Sequence, residues 1–231
     1  MKKMGMIGGL GPESTVDYYR EIMGLHRKLT GKDIQPEIII DSVDMSTLIR
    51  LLENMDYEGT TKFLMKSLNT LKLAGADYAF IASNTPHVVF DKLKEISPLP
   101  LISIVEVAAN RAEELNLKKV ALLGTKFTMG GKFYEKEFEH CSINLVTPKK
   151  DEQALIHRII MEELNLGCFR DESKATLLKI IKRMFVEEAI DGVILGCTEL
   201  PLILNKDEFG IPFLNTTYIH VEAIIDYLLN N

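Results

Sequence analysis

IDGVILGCTE, residues 190–199, decides how this chain is read. An aspartate precedes a continuous apolar run, and the run ends in glycine, cysteine, threonine and glutamate. Such a run, unbroken by polar alternation, fits a strand buried on both faces of a parallel sheet. The same pattern occurs earlier as ADYAFIASNT, residues 76–85. In both copies the aspartate stands six residues before the strand-end residue, Asp77 before Ser83 and Asp191 before Cys197. A second pair precedes them in the same order, KKMGMIG at 2–8 and KKVALLG at 118–124. From Gly8 to Ser83 is 75 residues and from Gly124 to Cys197 is 73. Two matches in one order point to two related halves, with Ser83 and Cys197 in equivalent places.

The intervening segments alternate apolar strands with helical patterns. Strands are expected at Met4–Ile7, Glu37–Ile40, Tyr78–Ala82, Val120–Leu123, Ile143–Val146, Val193–Leu195 and Pro212–Leu214. Helices are expected from Pro12, at Ser46–Asn54, Gly59–Ala74, after Pro86, and at Asp151–Leu164 and Ser173–Ala189. This alternation predicts an α/β fold with right-handed crossovers. No low-complexity linker interrupts it. The best boundary is Ser97-Pro98-Leu99-Pro100, where two prolines discourage a continuous helix.

Composition narrows the function. The 231 residues are 46% hydrophobic and 26% charged, with a formal net charge of −6. No basic stripe invites nucleic acid. No apolar run approaches the roughly 18 residues of a membrane span. Two N-terminal lysines precede only about five apolar residues before glycines, too few for a signal peptide, so a cytoplasmic location is expected. Cys141, Cys168 and Cys197 show no CxxC or Cys/His spacing, so neither a disulfide framework nor a metal site is expected. Cys141 and Cys168 read as structural.

Three strand ends carry the chemistry. Gly8-Gly9-Leu10-Gly11-Pro12 lets the backbone turn sharply and offers N–H groups to an anion, with Pro12 at the first helical position. It also looks like a degraded dinucleotide fingerprint with Asp41 as the ribose acid, but the third glycine is missing. Ser83-Asn84-Thr85-Pro86-His87 is either a capped polar turn or a cluster of donors for a small ligand. Cys197 is either a small core residue or a thiol at a sheet rim. A helix starting after it would lower its pKa, and Glu199 would raise it. Arg50, on the helix after the second strand, could bind a carboxylate in fork geometry or simply be solvated. Lys174, in a run of mixed charges, reads as solvent-exposed.

MGMIGGLGPEST, SNTPH and GCTELP together resemble the aspartate/glutamate racemase family, in order and over nearly the whole chain. The resemblance implies two pseudo-symmetric, Rossmann-like α/β halves with the active site in the cleft between them. The halves would comprise residues 1–98 with 210–231, and residues 99–209, the helix near Thr217–Leu229 returning to the first. It implies a homodimer, no pyridoxal phosphate or other cofactor, and a dicarboxylic amino acid as the small-molecule partner. In the family two cysteines flank the substrate α-carbon. Cys197 matches the second and is expected to face the α-proton of the L-enantiomer. Gly8, Gly9, Leu10, Asn84, Thr85 and Thr198 would hold the carboxylate and ammonium groups, with Arg50 and Glu199 as further substrate-binding candidates. The first cysteine is replaced by Ser83, a far weaker acid than a thiol of pKa about 8.5. The implied activity is a lopsided racemase on L-aspartate or L-glutamate, with reprotonation from the Ser83 side. The alternatives are a non-catalytic dicarboxylate binder and a single-cysteine isomerase or decarboxylase.

Overall fold

The computed structural model describes residues 2–31 and 34–230, and divides into two compact units, Met1–Ile104 with His220–Asn231, and Val105–Ile219. The chain passes from the first unit to the second after Ile104 and returns after Ile219.

Unit 1 contains strands β1 (Met4–Gly8), β2 (Ile38–Ser42), β3 (Tyr78–Ile81) and β4 (Leu101–Ile102), in the parallel order β2-β1-β3-β4. Its helices are α1 (Pro12–Thr30), α2 (Met45–Glu53), α3 (Tyr57–Leu73) and α4 (Phe90–Ile96), with a 3₁₀ turn at Thr85–Val89. Helix α5 (Ile104–Glu114) leads out of the unit. Unit 2 repeats the order with β5 (Lys119–Gly124), β6 (Asn144–Val146), β7 (Gly192–Gly196) and β8 (Phe213–Asn215), arranged β6-β5-β7-β8. Its helices are α6 (Lys126–Gly130), α7 (Phe133–His140), α8 (Lys150–Glu162), α9 (Asp171–Glu188) and α10 (Leu200–Ile203), and α11 (Thr216–Asn230) crosses back. The predicted pair of parallel-sheet α/β halves is therefore the observed architecture. Among the described residues no helix is long and apolar enough to cross a membrane.

The repeat has a physical cause. Asp77 Oδ2 accepts the Lys3 N–H at 2.6 Å, while Asp77 N–H donates to Lys3 O at 2.8 Å. Asp191 does the same on the other sheet: Oδ2 and Oδ1 accept from Lys118 and Lys119 N–H at 2.7 and 3.0 Å, and its own N–H reaches Lys119 O at 2.9 Å. Each aspartate thus sets the register of a central strand pair. That register places Ile7 beside Ile81 and Leu123 beside Leu195, so Ser83 and Cys197 each follow the registered residue by two.

Helices begin and end where local chemistry dictates. Pro12 opens α1 behind Gly11, and Gly31 closes it in the left-handed region at φ 62°. Tyr18, Ile22 and Leu25 form its buried stripe. Asp44 caps α2 through Ser46 and Thr47, and Asp56 caps α3 through Gly59. Beneath the first sheet, Tyr18, Tyr78 and Phe80 pack with Val221, Ile224, Ile225 and Leu228 of α11. In unit 2, Leu123, Val193 and Leu195 pack with Ile156 and Ile160 of α8 and Leu177, Ile181 and Met184 of α9.

Candidate active site

The cysteine at 197 leaves β7 where the strand stops and the short α10 has not yet begun. Its approach is narrow. A Cβ at Gly196 would stand 2.9 Å from Leu123 O, and one at Gly124 would stand 2.9 Å from Gly196 O. The glycine before the cysteine is thus required by close packing of β5 on β7. Cys197 is 8% exposed, with Thr198 and Glu199 buried beside it. Its Sγ donates to Glu199 Oε2 at 2.8 Å, and Thr198 Oγ1 donates to the same oxygen at 2.9 Å.

Burial pushes the Cys197 thiol well above its ordinary pKa, and the Glu199 carboxylate pushes it further. The backbone amides of Glu199 and Leu200 pull the other way and lose. Helix α10, of four residues, contributes these amides rather than a long dipole. The expectation of a helix-lowered thiol therefore gives way to a protonated one, hydrogen-bonded to a carboxylate that can take its proton. Tyr134 of α7, fully buried and hydrogen-bonded to Thr216, also faces Cys197 electrostatically.

In unit 1 the structure gathers two of the sequence-predicted stretches. Gly8-Gly9-Leu10 leaves β1 next to Ser83-Asn84-Thr85 leaving β3, because β1 and β3 are neighbours. Gly9 has φ +77°, and a Cβ there would run into the Val43 carbonyl. Its N–H goes to Thr15 Oγ1 at 2.8 Å, so this amide of the turn is satisfied within the protein. Leu10 and Asn84 are buried, while Ser83 and Thr85 are half-buried. Ser83 Oγ has no hydrogen-bond partner among the described residues. His87 is turned away from it by other bonds: Nδ1 lies 3.2 Å from Asn84 O, and Nε2 accepts the Ile104 N–H at 3.3 Å. Arg50 sits exposed on α2 with no hydrogen-bonding or ionic partner for its guanidinium among the described residues. Asp44 is the α2 cap, its pKa lowered to about 2 by hydrogen bonds from Thr47 and Ser46.

Several site residues were not picked out from sequence. Thr125 follows Gly124 as Gly9 follows Gly8, and the β5–β7 register carries it past Gly196 toward Cys197. Its Oγ1 caps α6 by accepting from Thr128 N–H at 3.3 Å. The internal repeat was the signal that could have found it. Tyr134 and Thr216 gave no such signal, since neither lies in the repeated stretches. Cys141 is half-buried at the end of α7, whereas Cys168 is exposed and not part of the core.

Comparison with known proteins bears on the family and the fold. The family model for Asp/Glu/hydantoin racemase matches residues 7–224. A candidate Asp/Glu racemase from Yersinia pestis superposes with a TM-score of 0.90 at 34% identity, covering 99% of this chain and 100% of that one. An aspartate racemase homologue from Pyrococcus horikoshii superposes at 0.85 with 36% identity, covering 98% and 99%. The broad specificity amino-acid racemase RacX of Bacillus subtilis is 22% identical over 93% of this chain and 92% of its own. The relatives are thus isomerases by name, and this chain belongs to the Asp/Glu/hydantoin racemase family.

Proposed function

We propose that this protein is a cofactor-independent amino-acid racemase acting on L-aspartate, L-glutamate or both, with Cys197 removing the α-proton and reprotonation coming from the Ser83 side. The observation that carries the reading is the buried Cys197 thiol donating to Glu199 at 2.8 Å, at the end of a central strand. Family membership supplies the reaction class.

An α-proton next to a carboxylate is a very weak acid, so the base must be strong and the enediolate-like product must meet directed donors. The thiol passes its proton to Glu199, and the resulting thiolate is stabilised by the amides of Glu199 and Leu200. The thiolate then takes the α-proton, and the C–H pair of electrons moves into the substrate carboxylate. On the other face, Ser83 Oγ or a water beside it returns a proton to the α-carbon. Serine is a poor base, so the same route run from the D-enantiomer is slow. Asn84, Thr85 and Thr198 are the donors assigned to the substrate carboxylate and ammonium groups, and Arg50 is the side chain offered to the second carboxylate.

The test is proton NMR of L-aspartate, then L-glutamate, in deuterium oxide with chiral analysis of the product. Loss of the α-proton signal together with D-product supports the reading. Exchange without D-product would confine the chemistry to Cys197. No exchange with either acid would sink the proposal in favour of a binder, and release of carbon dioxide would redirect it to decarboxylation.

A further inference from the structure

We propose that His87 is a positioning residue, a neutral brace whose Nδ1–H holds the strand end at Asn84 while its Nε2 accepts the Ile104 N–H, and which so sets where the Ser83 hydroxyl stands. The inference rests on the reading of Ser83 as the reprotonating side.

The ladder between β1 and β3 ends at Ala82, whose N–H donates to Ile7 O at 3.0 Å. Ser83 and Asn84 lie beyond that last bond. His87, three residues beyond Asn84 in the 3₁₀ turn, grips the Asn84 carbonyl. Its ring is 3% exposed and lies flat on Phe90, with centroids 4.7 Å apart and planes 14° off parallel. Ile104 N–H can only donate, so Nε2, 3.3 Å away, must be the bare nitrogen. The proton is therefore on Nδ1, which donates to Asn84 O at 3.2 Å. The His87 backbone N–H reaches Asn84 O too, at 3.0 Å.

A second buried histidine fixes the other end of the brace. His220 Nε2 lies 3.1 Å from Ile102 O and must donate to it, leaving Nδ1 to accept from Tyr18 OH at 2.8 Å. Ile102 and Ile104 flank Ser103, so the two rings grip one short segment with opposite tautomers. Neither nitrogen of His87 is left to serve Ser83 as a base. Its contribution is placement. A hydroxyl with no partner among the described residues takes its position from the backbone, and an error of about 1 Å in a proton-transfer group costs on the order of 100-fold.

The experiment has two readouts on the full chain. Nitrogen-15 NMR of the histidine rings at pH 7 reports the tautomer of the wild-type protein directly. L-aspartate and L-glutamate in deuterium oxide then give the ratio of D-product formed to α-proton exchanged, for wild type, His87→Leu and His87→Asn. We expect a proton on Nδ1 of His87, a ratio lowered at least tenfold in His87→Leu, and partial recovery in His87→Asn, which retains a donor near the Nδ1 position. A proton on Nε2 overturns the brace even if the leucine variant fails to fold. Normal exchange with an unchanged ratio in His87→Leu overturns the placement role alone. A wild type that exchanges neither acid overturns the racemase reading and this inference with it.

Discussion

At the scale of single residues, the site turns on which group holds a proton. Cys197 is protonated at rest because burial and Glu199 outweigh two backbone amides. Replacing Cys197 by alanine should abolish α-proton exchange from the L-substrate, by about 10³-fold or more, as seen by NMR in deuterium oxide. Glu199→Gln removes the negative charge that raises the thiol pKa, so that pKa should fall. Exchange driven by the thiolate rises with pH through this ionisation, and its alkaline limb should shift to lower pH in the variant. A limb that stays in place would mean that Glu199 does not tune the thiol. Ser83→Cys supplies an acid near pKa 8.5 where a hydroxyl stood, and should raise α-proton exchange from the D-enantiomer at least tenfold. Cys197 and Ser83 were legible in the sequence because the repeat placed them at strand ends. The protonation of Cys197 was not, because it depends on burial and on a partner two residues away. The role of His87 was hidden for the same reason, since Ile104, which fixes its tautomer, is 17 residues distant.

At the scale of elements, the repeated aspartates do the work that made the fold readable. Asp191 accepts two strand N–H groups where Asp77 accepts one. Asp191→Ala should therefore cost more stability than Asp77→Ala, about 1–3 kcal/mol against about 1 kcal/mol, measured by urea unfolding of each variant. Equal losses would mean that the pair is not a register device of the kind its geometry suggests. The seven strands anticipated from continuous apolar runs all exist, each within two residues of its observed ends. Strand β4 was missed because it has two residues and lies just past the prolines read as a boundary. Helices α6 and α7 were missed because five and eight residues carry too little periodicity to read.

At the scale of the whole molecule, acid should act first on unit 1. Burial holds His87 neutral with a pKa lowered to about 4, and burial followed by the nearby His87 holds His220 neutral with one lowered to about 3. Both pKa values lie below the unfolded value near 6.5. Their contribution is thus fully present above pH 6.5 and is lost as pH falls toward 4 and then 3, on the order of 3 kcal/mol from His87 alone. Thermal unfolding should drop between pH 6.5 and 4, and a variant carrying His87→Asn and His220→Asn should show a flatter profile. An unchanged slope would place the acid sensitivity elsewhere.

The path of the chain between its two units also bears on synthesis. Unit 2 is a single continuous stretch, while the core of unit 1 needs Val221, Ile224, Ile225 and Leu228, each worth about 1.5–3 kcal/mol when buried. On a ribosome the half begun first is thus the half completed last. Tyr18, Tyr78 and Phe80 stay uncovered until α11 has been translated, so nascent chains stalled before residue 220 should bind chaperones through the earlier half and be cleaved there by protease, while residues 105–219 are already protected.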